Sequence, residues 1–210
     1  MSPAAAVAIE DLALVEQTQQ GDMAAFGRLV SKYQDRVYNM CWRLCGNVED
    51  ARDLTQDAFL HALQAIDRFQ GKAGFYTWLF RIAVNLAISR RRKDRHAVRL
   101  SLHDSDGTRL IDSQASELVR RTGGPRGADP SVALETREAH RILLQVLDEL
   151  EEEFRVVLVL RDVESFDYRE IGEILAVPPG TVKSRLHRAR MALREKLAAR
   201  MQSGDGEPPG

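Results

Sequence analysis

The chain has 210 residues, 44% hydrophobic and 29% charged, with a formal net charge of −1 at pH 7. That length allows one sizeable domain or two small ones, and no apolar run reaches the roughly eighteen residues of a membrane span. The N-terminus, MSPAAAVAIEDLALVEQ, lacks a basic leader and carries acids where a signal peptide is apolar, so a cytoplasmic protein is expected.

Residues 1–21 are taken as an N-terminal extension. From Asp22 to Leu44 the apolar residues Phe26, Leu29, Val30, Tyr33, Val37, Met40, Cys41 and Leu44 recur at helical spacing, which predicts an amphipathic helix. The two cysteines, Cys41 and Cys45, lie one helical turn apart. They could form a redox pair or two metal ligands, but no histidine is near and both border the apolar face, so they are read as small buried hydrophobes. No metal site or cofactor is expected. Gly46-Asn47 should end the helix, with Asn47 capping the next. In that next helix Leu54, Ala58, Ala62 and Ile66 point inward, while Asp53, Gln56 and Asp57 share the outward side. Such a face is either a solvated helix surface or an acidic and amide patch for a basic protein partner.

A loop over Arg68–Gly74 leads into a helix from Phe75 to Ser89 that ends in Arg90-Arg91-Arg92-Lys93. Five of the chain's thirteen aromatics fall between Phe69 and Phe80. Thr77, Arg81, Asn85 and Ser89 step by four and draw a polar stripe beside Trp78. Aromatics beside a polar, basic stripe suit unpaired nucleic acid, where bases stack on rings and cations follow phosphates. Asn85 offers a donor and an acceptor to a base edge. The aromatics would serve equally as core. Residues 98–131 lose periodicity and hold the cluster Gly123-Gly124-Pro125, which marks a linker, with a weakly signalled helix around Ala115–Arg121.

Helical pattern resumes from Ser131. Ala139, Ile142, Leu143, Val146, Leu147 and Leu150 form one face, and Phe154, Val157, Leu158 and Leu160 belong to a second helix. Asp167 and Glu170 have the spacing of a capping box before a helix with Ile171, Ile174 and Leu175 inward. Val177-Pro178-Pro179-Gly180 breaks it. A longer helix from near Thr181 buries Val182, Leu186, Ala189, Leu193 and Leu197. Its other side carries Lys183, Ser184, His187 and Arg188, flanked by Arg185, Arg190 and Arg194. Between Thr181 and Arg200 there are seven Lys or Arg and one acid. Two helices at a sharp angle, the second basic and exposed, present side chains to a DNA major groove. Leu147–Glu173 carries ten acids against three arginines, so DNA affinity would come from a local patch beside a repelling neighbour. The free protein is therefore expected to bind DNA poorly. The tail 201–210 is disordered by composition, and neither strand pattern nor internal repeat occurs.

The fold class is therefore all-α, with two small helical domains: an N-terminal bundle over 22–97 and a C-terminal four-helix unit with a helix-turn-helix over 132–200, on a flexible linker. This layout resembles the extracytoplasmic-function group of the sigma-70 family of bacterial RNA polymerase sigma factors. Asp53-Leu54-Thr55-Gln56-Asp57-Ala58-Phe59 is similar to the group's polymerase-docking motif. Phe75-Tyr76-Thr77-Trp78-Leu79 with Arg81-Ile82-Ala83-Val84-Asn85 is similar to its melting and −10 segment. Gly180-Thr181-Val182-Lys183-Ser184-Arg185-Leu186-His187-Arg188-Ala189-Arg190 is similar to its −35 recognition helix. The resemblance implies no enzyme but a transcription initiation factor, which binds core RNA polymerase at its clamp and flap regions. Asp53, Gln56 and Asp57 would meet the clamp's basic coiled coil. Phe75, Tyr76 and Trp78, with Arg81, would support strand opening, and Asn85 with the Gln70–Gly74 loop would hold a flipped base. Thr181, Lys183, Ser184, Arg185, His187, Arg188 and Arg190 would contact −35 DNA. The linker would thread toward the polymerase channels, and an anti-sigma protein would regulate the factor, with no direct membrane insertion of this chain. Leu150-Glu151-Glu152-Glu153-Phe154 departs from the group by lacking a proline, and the linker is somewhat long.

Two rivals stand beside this reading. An autonomous DNA-binding regulator would need a dimer seam or effector pocket, and neither pattern occurs. An enzyme acting on DNA could recruit metals through Asp50, Asp53 and Asp57, but no histidine or third ligand lies in reach.

Overall fold

The computed structural model describes residues 3–101 and 142–204, and the side chains of 7–94 and 142–200. The helix expected at Ala115–Arg121, the Gly/Pro cluster and the Ser131–Arg141 start of the next helix lie outside these residues. The described residues are helical, with no strand among them. No helix among them is long and apolar enough to cross a membrane.

The N-terminal unit contains α1 (Pro3–Gln19), α2 (Met23–Cys45), α3 (Val48–Ala65) and α4 (Phe75–Ser101). The stretch read as an extension is thus a helix of the unit. Its Leu14 and Val15 enter the core, and its buried Asp11 accepts from Lys32 Nζ at 2.7 Å and from the Tyr33 hydroxyl. Gln19 Nε2 donates to the Ile66 carbonyl at 2.8 Å, tying the end of α1 to the loop after α3. The periodicity of α1 is weak because Ala residues fill its first turns, where no large side chain marks a face.

The Gly46 stop and the Asn47 cap fall where the sequence predicted them, and Asp22 adds a cap the sequence reading did not name. Asp22 Oδ1 accepts from the Ala24 and Ala25 amides at the start of α2. Gly46, at φ +72, takes the left-handed turn that closes α2. Asn47 then accepts from the Glu49 and Asp50 amides and opens α3. Cys41 is fully buried, and burial pushes its thiol up to about 12 and that of Cys45 to about 11. Both thiols therefore stay protonated and pack as small apolar groups, since only the thiolate is the nucleophile and metal ligand.

The C-terminal unit consists of α5 (helical over 142–148), α6 (Glu152–Leu158), a widened turn over Val159–Val163, α7 (Tyr168–Leu175) and α8 (Pro179–Gly204). α8 runs past the expected start of the tail at 201, and 205–210 lie outside the described residues. The core is built from Val157, Leu160, Phe166, Ile171, Ile174, Val182, Leu186 and Ala189. Arg155 is buried with them at 1% exposure. Its guanidinium donates to the Leu147, Asp148 and Leu150 carbonyls, the open C-terminal end of α5.

The two units are in contact. α4 packs against α7, and α2 against the Val159–Val163 turn. At one end of this contact Arg155 Nη1 also donates to the Leu44 carbonyl at the end of α2, at 3.0 Å. Arg91 of α4 reaches the same carbonyl (3.1 Å) and the Asp148 carboxylate (2.8 Å). Two cations thus sit on the negative ends of two helices, α2 and α5. The expectation of two separately tethered domains did not include this junction, because most of its acceptors are backbone carbonyls that carry no residue-type signature, and its one carboxylate, Asp148, lies 57 residues from Arg91.

Candidate functional site

Three surfaces carry the residues singled out by sequence. The first lies on the helix-turn-helix. Asp167 Oδ1 accepts from the Arg169 and Glu170 amides while Glu170 Oε2 accepts from the Asp167 amide, each at 2.8 Å, so the capping box forms in full. Ala176, at φ +54, ends α7, and the Thr181 amide donates to the Pro178 carbonyl at 2.9 Å to start α8. The turn closes tightly: a Cβ on Gly172 would lie 2.8 Å from the Val177 carbonyl oxygen. Only glycine lets the two strands of the turn approach this closely.

α8 is then seated by Val182, Leu186 and Ala189, all buried. Lys183, Ser184, His187 and Arg188 are exposed. Lys183, His187 and Arg188 make no ion pair or side-chain hydrogen bond among the described residues, and Ser184 Oγ donates to the Thr181 carbonyl at 3.0 Å. Thr181 is half-buried. Arg185 and Arg190 differ from the rest. Arg185 pairs with Glu153 at 3.0 Å, and Arg190 pairs with Asp162. These two belong to the scaffold of the unit as much as to its open face, because the acids of α6 and of the turn after it lie within reach. The acid-rich segment thus neutralises the flanks of the basic helix and leaves its middle free.

The second surface is α4. Phe75 is 1% exposed and Thr77 is buried, so both are core; Phe75 can act on a strand only by supporting its neighbours. Trp78 is half-buried against Phe69 (ring centroids 5.2 Å) and Phe75 (5.8 Å). Arg81, Asn85 and Ser89 are exposed and form a three-residue stripe, shorter than the four expected. Neither Arg81 nor Asn85 has a partner among the described residues. Tyr76 lies away from this stripe, in contact with the C-terminal unit. The basic run is also largely committed. Arg90 pairs with Asp50 at 2.6 Å, Arg92 with Glu152 at 3.2 Å, and Arg91 fills the junction described above. Lys93 is the one member of the run without a partner among the described residues. Acids far away in sequence, brought close by folding, decide this, and the local pattern cannot show it.

The third surface is α3. Asp53, Gln56 and Asp57 are exposed on one face and make no ion pair or hydrogen bond among the described residues. Leu60, three to four residues on, continues that face at 49% exposure. Sequence reasoning missed it, although its spacing of i+3, i+4 and i+7 from Asp57, Gln56 and Asp53 was there to find. A large apolar side chain in a ring of acids and amides is the make-up of a protein-docking patch, with an apolar centre and a polar rim. Among the described residues no cluster of His, Cys, Asp or Glu is arranged to hold a metal ion.

Comparison with known proteins follows the same division. The Sigma-70 region 2 family matches residues 29–97, and the Sigma-70, region 4 family matches residues 140–193. The chain is 38% identical over 183 residues to the ECF RNA polymerase sigma factor SigW of Bacillus subtilis, covering 87% of this chain and 94% of that protein. It is 33% identical over 193 residues to the ECF RNA polymerase sigma-E factor of Escherichia coli K12, covering 90% and 95%. Among solved structures, CnrH in complex with the cytosolic domain of CnrY aligns with a TM-score of 0.63 at 24% identity, covering 90% of this chain and 98% of that one. The sigma factor RpoE of Bartonella quintana, in complex with the anti-sigma factor NepR, aligns at 0.61 and 24%, covering 82% and 96%. At that identity the two structures speak for the fold alone. The sequence relatives carry more, since they span both helical units in the same order along the chain. On that ground the chain belongs to the extracytoplasmic-function group of the sigma-70 family of RNA polymerase sigma factors.

Proposed function

We propose that this chain binds bacterial core RNA polymerase, directs it to promoters with −10 and −35 elements, and promotes strand opening. In this reading α8 reads the −35 element in the major groove through Lys183, Ser184, His187 and Arg188. Arg185 and Arg190 contribute to phosphates only when their acidic partners release them. Arg81 and Asn85 hold the −10 strand on α4, with Trp78 and Tyr76 supplying ring faces. Asp53, Gln56 and Asp57 dock on the polymerase clamp, and Leu60 adds apolar contact at their centre. An anti-sigma protein is the proposed regulator, by family membership. The observation that supports the reading best is that Asp53, Gln56 and Asp57 on α3, Arg81 and Asn85 on α4, and Lys183, His187 and Arg188 on α8 are exposed and without a side-chain partner among the described residues, and lie on the three segments similar to the family's contact motifs. Elsewhere the arginines of the surface are mostly tied into ion pairs.

The test is transcription in vitro with purified core polymerase on a pool of genomic promoter fragments. Transcripts starting downstream of one shared two-part motif, seen only when this protein is added, are expected. Asp57→Arg should abolish them while DNA binding by α8 persists. Retained polymerase affinity in that variant would remove α3 from the docking surface. Specific DNA binding without any polymerase-dependent transcript would favour an autonomous regulator.

A further inference from the structure

The loop that leads into α4 has little support of its own. Among the described residues Gln70, Gly71, Lys72 and Ala73 make no hydrogen bond or ion pair, and the chain turns left-handed at Gly71, at φ +67. Hydrogen bonds resume only at the two ends of the loop. There the Phe69 amide donates to the Ile66 carbonyl and the Trp78 amide to the Gly74 carbonyl, each at 3.0 Å. A surface loop bonded so sparsely samples many conformations unless something outside it fixes one. Helix α1 supplies that support at two points. Gln19 Nε2 donates to the Ile66 carbonyl at 2.8 Å and reaches the Phe69 carbonyl at 3.4 Å, so one amide spans the entry to the loop. Leu12 lies over the turn itself: a Cβ added at Gly71 would stand 3.6 Å from Leu12 Cδ2. Positions 12 and 19 are i and i+7, so both side chains project from one face of α1, about 10 Å apart along its axis. The helix is rigidly seated, with Leu14 and Val15 in the core and the buried Asp11 carboxylate held by Lys32 and Tyr33. Leu12, at 38% exposure, is not part of that core.

We propose that α1 is a brace for the Gln70–Gly74 loop, with Leu12 and Gln19 as positioning residues that hold the loop in the conformation that selects a base of the −10 element. The selection rests on the base-holding role given to this loop beside Asn85; the brace does not. Neither side chain needs to touch DNA. Both act by keeping the loop in its competent form. Without them the affinity for the right base falls with the competent fraction, while a wrong base, which gains nothing from the loop, is bound as before. The signature is therefore lost selectivity at one promoter position rather than a general loss of activity. Helix α1 precedes the region 2 match, which begins at residue 29, so the brace adds promoter selection to a segment outside it.

The test is transcription by core polymerase with the full chain, on one promoter recovered by the assay above and changed base by base through its −10 and −35 elements. Gln70→Ala and Lys72→Ala first mark the position that the loop reads. Leu12→Ala and Gln19→Leu leave net charge unchanged, so general attraction to DNA stays the same. Each should cut discrimination at the marked position about three- to tenfold, the worth of one net hydrogen bond or of a half-buried apolar contact. Discrimination within the −35 element should not change, and Leu12→Met should restore the wild-type preference. In the free chain, trypsin cleavage after Lys72, followed by mass spectrometry, should quicken by a similar factor in Leu12→Ala and Gln19→Leu. Unchanged cleavage would overturn the brace. Faster cleavage with a uniform fall in transcription at every promoter position would leave α1 a stabilising helix and overturn its part in selection. If Gln70→Ala and Lys72→Ala alter discrimination nowhere, the base-holding reading fails and takes the selection with it, and cleavage after Lys72 then decides the brace alone.

Discussion

Arg155→Ala should be among the most destabilising substitutions in the chain. The side chain donates to the Leu147 carbonyl at 2.6 Å, Leu44 at 3.0 Å, Asp148 at 2.5 Å and Leu150 at 3.1 Å. Truncation leaves these acceptors without that donor. Arg91 still reaches the Leu44 and Asp148 carbonyls, so those of Leu147 and Leu150 lose most. A buried acceptor left unpaired costs roughly 1–3 kcal/mol, and breaking a buried charged network about 3–5. Water entering the vacated space offsets part of this, which puts the loss at about 3–4 kcal/mol, a large share of the ~5–15 kcal/mol typical of a folded protein. Arg155→Lys should recover little, because one ammonium cannot span carbonyls that a planar guanidinium reaches together. The assay is urea unfolding followed by far-UV circular dichroism, with Arg92→Ala as control. Arg92 is 74% exposed and makes one ion pair, so its loss should cost about 0.5 kcal/mol or less. An Arg155→Ala protein within about 1 kcal/mol of wild type would refute the role given to this guanidinium.

Other expectations are equally direct. Lys183→Ala and Arg188→Ala should each weaken promoter binding by about 1–3 kcal/mol if the residue reads a base, whereas Arg190→Ala should cost less; gel-shift titration ranks them. Gly172→Ala should lower the melting temperature of the C-terminal unit through a clash with the Val177 carbonyl, costing about 1–3 kcal/mol; an unchanged melting curve would show that the turn gives way freely. At Glu149, burial raises the carboxyl, but hydrogen bonds and charges from Arg200 and Lys196 outweigh it, so its folded value lies below 4.5. The resulting stabilisation is complete above that ordinary value and is lost as pH falls through the lowered one. Acidification should therefore fray the end of α8 in the wild type and not in Glu149→Gln, read as helical ellipticity against pH.

The fold was legible wherever a local rule decides it. Gly46-Asn47, the Asp167–Glu170 box and the Pro-Pro-Gly break each specify a terminus by their own chemistry, and the structure puts helix ends there. The buried faces of α2 and α3 followed from spacing, as did that of α8 over Val182, Leu186 and Ala189, whereas Leu193 and Leu197 beyond them are only half-buried. Long-range partners were not legible. Arg185, Arg190, Arg90 and Arg92 read as free cations because the acids nearest to them in the fold lie at least 28 residues away in sequence. Phe75 and Thr77 read as surface candidates because a nearly all-apolar helix has no clear polar phase to orient it. Tyr76 was singled out as an aromatic of the melting segment, but nothing near it announces its stacking on Phe166. A buried glutamate such as Glu164, lost in an acid-rich stretch, announces nothing either.

If α8 contacts DNA as proposed, the pairing of Arg185 with Glu153 and of Arg190 with Asp162 would set how that binding responds to ionic strength. Each phosphate neutralised by a side chain releases condensed cations and adds about 0.9 to the steepness of log affinity against log salt. Lys183 and Arg188, acting alone at the centre of α8, would give a steepness of about 2, where four engaged cations would give nearly 4. If α8 reads DNA as proposed, it would lose less affinity as salt rises than a helix with four engaged cations, and would lean more on base contacts than on the counterion cloud to tell one sequence from another.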